Sequence, residues 1–178
     1  MKMTLDHPIE KLTRKQLLEV IKTFSRNWIT LDGLWFTLVE DTFGFEAALS
    51  LDEKMWERQS VIEAQRIKQK LGIEGGGVRG VLRALRFMTY DITMPFSYSL
   101  EGPDRAHLWV TTCKPQEARV KSGRGEFACK SVGLKCYPIV ARVIDPSVRV
   151  ECVVCPPDPH PPDMWCKWKL IGNGDTKA

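Results

Sequence analysis

The hydrophobic period of this chain changes once, near Thr89, and that change limits its fold more than any other feature. Before it, apolar residues recur every three or four positions, as on helices with one buried stripe. After it they alternate, as on strands with one buried face. From Thr13 to Leu31 the stripe is Leu17, Ile21, Phe24, Trp28 and Leu31, and it is expected to be buried. Asp32-Gly33 then reads as an interruption, with Asp32 capping a second helix that carries Leu34, Trp35, Leu38 and Val39 and ends at Phe43-Gly44. Trp28, Trp35 and Phe36 are assigned to the core. Asp52 reads as the cap of a third helix with Met55, Trp56, Ile62, Ile67 and Leu71 inside and Gly72 as its stop. A fourth, short helix covers Val78 to Phe87. The glycines of GGGVRG, residues 75–80, match a dinucleotide fingerprint formally, but that fingerprint must follow a strand, and here a helix precedes it. They read as a helix-to-helix turn.

In the second half, Ile92, Met94, Phe96, Tyr98 and Leu100 alternate with polar or small residues, which predicts a strand, and Pro95 places it at a sheet edge. Gly102-Pro103-Asp104 is a turn, and Arg105 to Cys113 is the returning strand. Pro115 and Gly123 bracket a short helix, and a longer one runs from about Glu126 to Ile144. Ser147 to Cys155 and Met164 to Ile171 make a second hairpin across the loop PPDPHPP. The expected fold is α+β: an N-terminal helical half (9–88) packed with a roughly four-stranded antiparallel sheet in the second half (89–171), two hairpins separated by helices. The 178 residues suit a single domain, with 172–178 as a flexible tail.

No apolar run is long enough to span a bilayer, and MKMTLDHPIEKLTRKQ lacks an apolar signal region, so a cytoplasmic location is expected. A net charge of +4 distributed among mixed charges gives no case for nucleic acid. In a reducing compartment, six cysteines are buried thiols, metal ligands or reactive groups rather than a disulfide framework. Cys136 lies in an apolar helical stripe, and Cys152 shares a strand face with valines, so both read as small core hydrophobes. Strand parity also separates Cys152 from Cys155, although the two are spaced as CxxC.

Cys113, Cys129, Cys155 and Cys166 each fall at the end of an element. If strand order brings them together, four thiolates can close a tetrahedral zinc site. His160 is the substitute ligand. Asp158, in the proline loop, is a candidate to orient a ligand or act as a base. Gln116 and Arg119, one turn apart, are the other candidate ligand contacts, with a salt bridge as the alternative role for Arg119.

The string Cys113, Gln116, Arg119, Gly123, Cys129-Lys130, Cys155-Pro156-Pro157-Asp158 and Cys166-Lys167-Trp168, with Trp28, Leu31-Asp32-Gly33-Leu34-Trp35-Phe36, Glu40, Phe43-Gly44 and Ala47, resembles a family of small cytosolic archaeal and bacterial proteins. More distantly it is similar to the L-2-amino-thiazoline-4-carboxylic acid hydrolase-like family. The resemblance implies weight on the same four cysteines and, through the hydrolase name, opening of a thiazoline ring. The leading expectation is a small-molecule-binding protein with a cysteine-rich zinc site. The alternative is a hydrolase of a cyclic amidine or amide, in which Cys129, Cys155 or a metal-bound water attacks, Asp158 or Glu126 handles protons and Arg119 holds a carboxylate. Thiol redox sensing is a third reading. Expected partners are a small-molecule ligand and, as an option, a second copy in a homodimer, with neither nucleic acid nor membrane.

Overall fold

A computed structural model describes residues 8–173. A short 3₁₀ turn, Pro8–Lys11, leads into α1 (Arg14–Phe43). Thr13 caps α1 reciprocally: its Oγ1 accepts from the Gln16 amide at 3.3 Å, while Gln16 Oε1 accepts from the Thr13 amide at 2.9 Å. Asp32-Gly33 does not interrupt this helix. The Asp32 side chain turns inward instead, where it accepts from Tyr90 Oη at 2.5 Å. The break comes at Gly44, whose φ of 87° is open to glycine and costly for other residues. α2 (Phe45–Leu71) therefore starts about two turns before Asp52, which lies inside the helix and is not its cap. Gly72, in the left-handed conformation, stops α2 as expected.

The glycine run is a helix-to-helix turn into α3 (Gly77–Leu85). Asp145 Oδ2 accepts from the Gly77 amide at 2.7 Å, so a carboxylate of the chain itself occupies the place a phosphate would take. The expected strand from Ile92 is shorter than its alternation suggests. Residues Thr89–Thr93 form a single helical turn, α4, and strand β1 is only Ser97–Leu100. Several contacts hold that turn. Asp91 accepts from the Phe96 amide at 3.0 Å and pairs with Arg86 at 3.1 Å, and Ser25 Oγ donates to Thr89 O at 2.6 Å. Met94, before Pro95, is forced out of the helical region.

β2 (Arg105–Val110) stops short of Cys113, which caps α5 (Lys114–Lys121). α6 (Lys130–Ile144) begins later than Glu126, because Phe127 is held in an extended segment by Gln116. β3 (Arg149–Val154) and β4 (Cys166–Ile171) complete an antiparallel sheet of order β1-β2-β4-β3. β1 is an edge strand, where Pro95 placed it. The architecture is α+β, helical first and sheet-forming second.

The core lies between the inner sheet face (Ala106, Leu108, Trp168, Leu170) and α3 and α6, with Val81, Leu85, Val140 and Ile144 packed against it. Gly133 lets α6 sit directly on Trp168: a Cβ there would lie 2.5 Å from the indole ring. The stripe expected to be buried on α1 is not. Ser25, Ile29 and Val39 face inward, whereas Phe24, Leu31, Leu34, Trp35 and Leu38 are exposed. Trp28 is half-buried and packs edge-on against Trp56 and Tyr90. Phe36 packs against Phe45 and Phe127. Of the expected tail, Gly172 is bonded through its amide to Asp104 O at 2.7 Å, and residues 174–178 lie outside the described residues. No described helix is long and apolar enough to cross a membrane.

Candidate functional site

Helices α1, α2, α4, α5 and α6 do not close fully over the sheet. They leave a cavity of about 880 Å³ whose wall is mainly apolar, including Ile29, Trp56, Leu85, Met94, Phe96 and Val140. Its mouth lies between α1 and α5, where exposed residues of both, Thr30, Gly33 and Leu34 against Lys114, Ala118 and Lys121, line it.

Cys113, Cys129, Cys155 and Cys166 all contribute to this wall, and so does Cys136, which the apolar stripe of its helix had assigned to the core. Each of the four is placed by an element end: Cys113 and Cys129 at the N-caps of α5 and α6, Cys155 just after β3, and Cys166 at the start of β4. A bulge between Cys152 and Val154 changes the parity of β3. Cys152 is opposite Trp168 on the inner face, and one extra residue returns Cys155 to that face too, so the rule that residues three apart face opposite ways does not hold here. Cys152 is half-buried against the core and Cys155 is buried.

The Cys129 and Cys155 sulfurs are 3.7 Å apart. Cys155 also donates to Cys166, and that donated proton, with help from the Trp168 indole, holds the Cys166 thiol below its usual range. Cys155 moves the other way, raised because its own proton is engaged by Cys129 and Cys166. Burial pushes the Cys113 thiol up to about 12, with Cys129 and Cys166 adding to the shift. The six cysteines are free thiols. Among the described residues no three or more His, Cys, Asp or Glu side chains form a ready metal-holding group.

Gln116, almost fully buried, anchors this wall: its Nε2 donates to Phe127 O at 2.7 Å and its Oε1 accepts from the Phe127 amide at 2.7 Å, while Nε2 also lies 3.4 Å from Cys129 Sγ. Arg119 borders the cavity but is engaged elsewhere. It forms a bidentate pair with Glu40 at 2.6 and 3.0 Å, ringed by Phe36, Phe45 and Phe127. That is the salt-bridge role, and it leaves little of the guanidinium for a ligand. Asp158 lies outside the cavity wall and pairs with Lys130 at 2.7 Å, which lowers its carboxyl pKa. His160 faces Glu126 at 3.3 Å, also away from the cavity.

The cavity wall also holds a feature that sequence reasoning assigned to helix boundaries. Asp32 and Asp52 both line it, with Tyr90. Burial pushes the Asp52 carboxyl up to about 7, and the nearby Asp32 adds to the shift. Asp32 is itself raised by burial, against the hydrogen bond from Tyr90. The signal was present in the helical period. Asp32 lies seven residues from both Ser25 and Val39, on the inward face of α1.

Residues 10–171 match a family of unknown function, DUF6125. The chain belongs to that family. No curated protein and no solved structure matches it. Membership of DUF6125 thus spans both the helical half and the sheet, and every residue of the cavity wall lies within the matched segment.

Proposed function

We propose that this DUF6125 protein binds a small, largely apolar molecule in the cavity and carries a zinc ion among the cysteine thiolates of its inner wall. One observation carries the reading: five cysteines line one mainly apolar cavity of about 880 Å³, and Cys113, Cys129, Cys155 and Cys166 reach it from four separate chain segments. Cavities of this size suit drug-sized ligands, with a few polar groups to fix orientation.

Zinc is supported by spacing and chemistry. A tetrahedral zinc with bonds of about 2.3 Å sets its sulfurs about 3.8 Å apart, close to the 3.7 Å between Cys129 and Cys155. Gln116 Nε2 already points at Cys129, as a donor to a metal-bound thiolate does. The Trp168 indole nitrogen is buried without a geometrically good partner and is near Cys166, whose thiolate it favours. A dication would reverse the high pKa of Cys113 and Cys155 by replacing their protons. Free thiols in this number fit a reducing, cytoplasmic setting.

Elemental analysis of the purified protein tests the metal: about one zinc per chain, lost in Cys129→Ser and Cys155→Ser, is expected. A stable protein that neither contains zinc nor takes it up when supplied would sink this half of the proposal. Native mass spectrometry tests the ligand half independently.

The hydrolase reading gains support from Asp52, whose carboxyl, raised to about 7, is suited to proton transfer and lines the same cavity as Cys166. It loses the carboxylate clamp, since Arg119 is bound to Glu40. Absence of ring opening on incubation with 2-aminothiazoline-4-carboxylate, with and without zinc, would remove it.

A further inference from the structure

The exposed stripe of α1 is built as a pairing surface. Leu17, Ile21, Phe24, Trp28, Leu31, Trp35 and Leu38 follow alternating spacings of four and three, the seam of a coiled coil sustained for three heptads, with Leu17 and Trp28 half-buried and the other five exposed. The core-facing residues Ser25, Ile29 and Val39 occupy a different side of the helix. Ile21, Phe24, Leu31, Trp35 and Leu38 are 48–67% exposed, and no charged residue falls in the seam.

We infer that two copies of this chain associate through this face, α1 against α1, in antiparallel orientation. The pattern is self-complementary in one register. With Phe24 opposite Trp35 of the second copy, Leu31 falls opposite Trp28 and Leu38 opposite Ile21, so that every seam position from 21 to 38 meets an apolar partner. The area is sufficient. The exposed side chains offer roughly 700 Å² per copy, against about 800 Å² a side in a standard specific interface.

Charge sets the orientation. The first half of α1 carries Arg14, Lys15, Lys22 and Arg26 with one acid, Glu19, and the second half carries Asp32, Glu40 and Asp41 with no base. Parallel pairing stacks the two basic halves; antiparallel pairing keeps them apart. Glu40 and Asp41 are shared with Arg119 and Arg124, so avoided repulsion outweighs new attraction. The same distribution disfavours an anionic bilayer as the occupant, since the second half of α1 offers it no base.

Sedimentation velocity of the full chain at micromolar concentration is expected to show a dimer. The double variant Leu31→Lys, Trp35→Lys should weaken association ~100-fold or more while keeping its circular dichroism and thermal midpoint, because both side chains are exposed. Orientation is read separately: Phe24→Cys and Trp35→Cys proteins, mixed and oxidised, should cross-link to each other in preference to themselves, with the bridge identified by mass spectrometry. A monomeric wild type, a double variant that remains dimeric, bridges from 24 to 24, or cosedimentation with anionic vesicles that the double variant abolishes would each overturn the inference.

Discussion

Asp52 has no ion pair among the described residues, and burial raises its pKa from 3.8 to about 7. In the unfolded chain the carboxyl returns to its ordinary value, so between these limits the folded state binds the extra proton. Stability from this group is therefore highest in acid and falls as pH rises from about 4 through 7. Asp52→Asn should stabilise the protein by about 2 kcal/mol at pH ~8, with the difference vanishing near pH ~4. Thermal melts of both proteins across pH check this, and a constant offset would refute it. The thiols differ in the same way. Cys166 is lowered by the proton Cys155 donates, while burial pushes Cys113 and Cys136 up to about 12. After chelation, mild alkylation near pH 8 should modify Cys166 before either of them, as peptide mapping would show. Sequence position placed Cys113, Cys129, Cys155 and Cys166 near element ends, but it assigned Cys136 to the core, whereas Cys136 lines the same cavity. The bulge at Val154 was not legible, since nothing in ECVVC distinguishes a regular strand from one with an extra residue.

The elements that wall the cavity depend on two close approaches. Gly133 sets α6 against Trp168, so Gly133→Ala forces the ring or the helix to shift and should cost about 2 kcal/mol, read as a lower denaturation midpoint with an unchanged slope. Glu40 of α1 holds Arg119 of α5 with both side chains largely buried. Glu40→Ala leaves that guanidinium without its counter-ion among three phenylalanines, a loss of about 3 kcal/mol. Removing both partners, with Arg119→Met, should recover part of the loss; no recovery would mean that the pair is not the source. Glycine signals fixed the ends at Gly44 and Gly72 because only their positive φ allows the stop. Alternation misplaced β1, because the hydrogen bonds of Asp91 and Ser25 that hold α4 come from residues distant in sequence or without a local signature. The α1 stripe shows the same limit. Its period identified a helix with one apolar face, but a period cannot say whether that face meets the core or another surface.

At the scale of the molecule, the cavity and the α1 seam are separate apolar surfaces, and a ligand-binding measurement must tell them apart. A neutral naphthylamine fluorophore is expected to enter between α1 and α5 and to raise the thermal midpoint by mass action, by about 2.7 kcal/mol of stability at a hundredfold excess over its dissociation constant. Ala118 lies exposed at that mouth, so Ala118→Trp adds bulk where nothing in the core must move; stability should stay within ~0.5 kcal/mol. Blocking the mouth should weaken the fluorophore at least ~10-fold, a loss of about 1.4 kcal/mol. Trp35→Lys, on the seam, should leave its affinity unchanged. If Ala118→Trp binds as well as the wild type while Trp35→Lys does not, the fluorophore reports the outer face of α1, and the cavity loses its claim as the binding site.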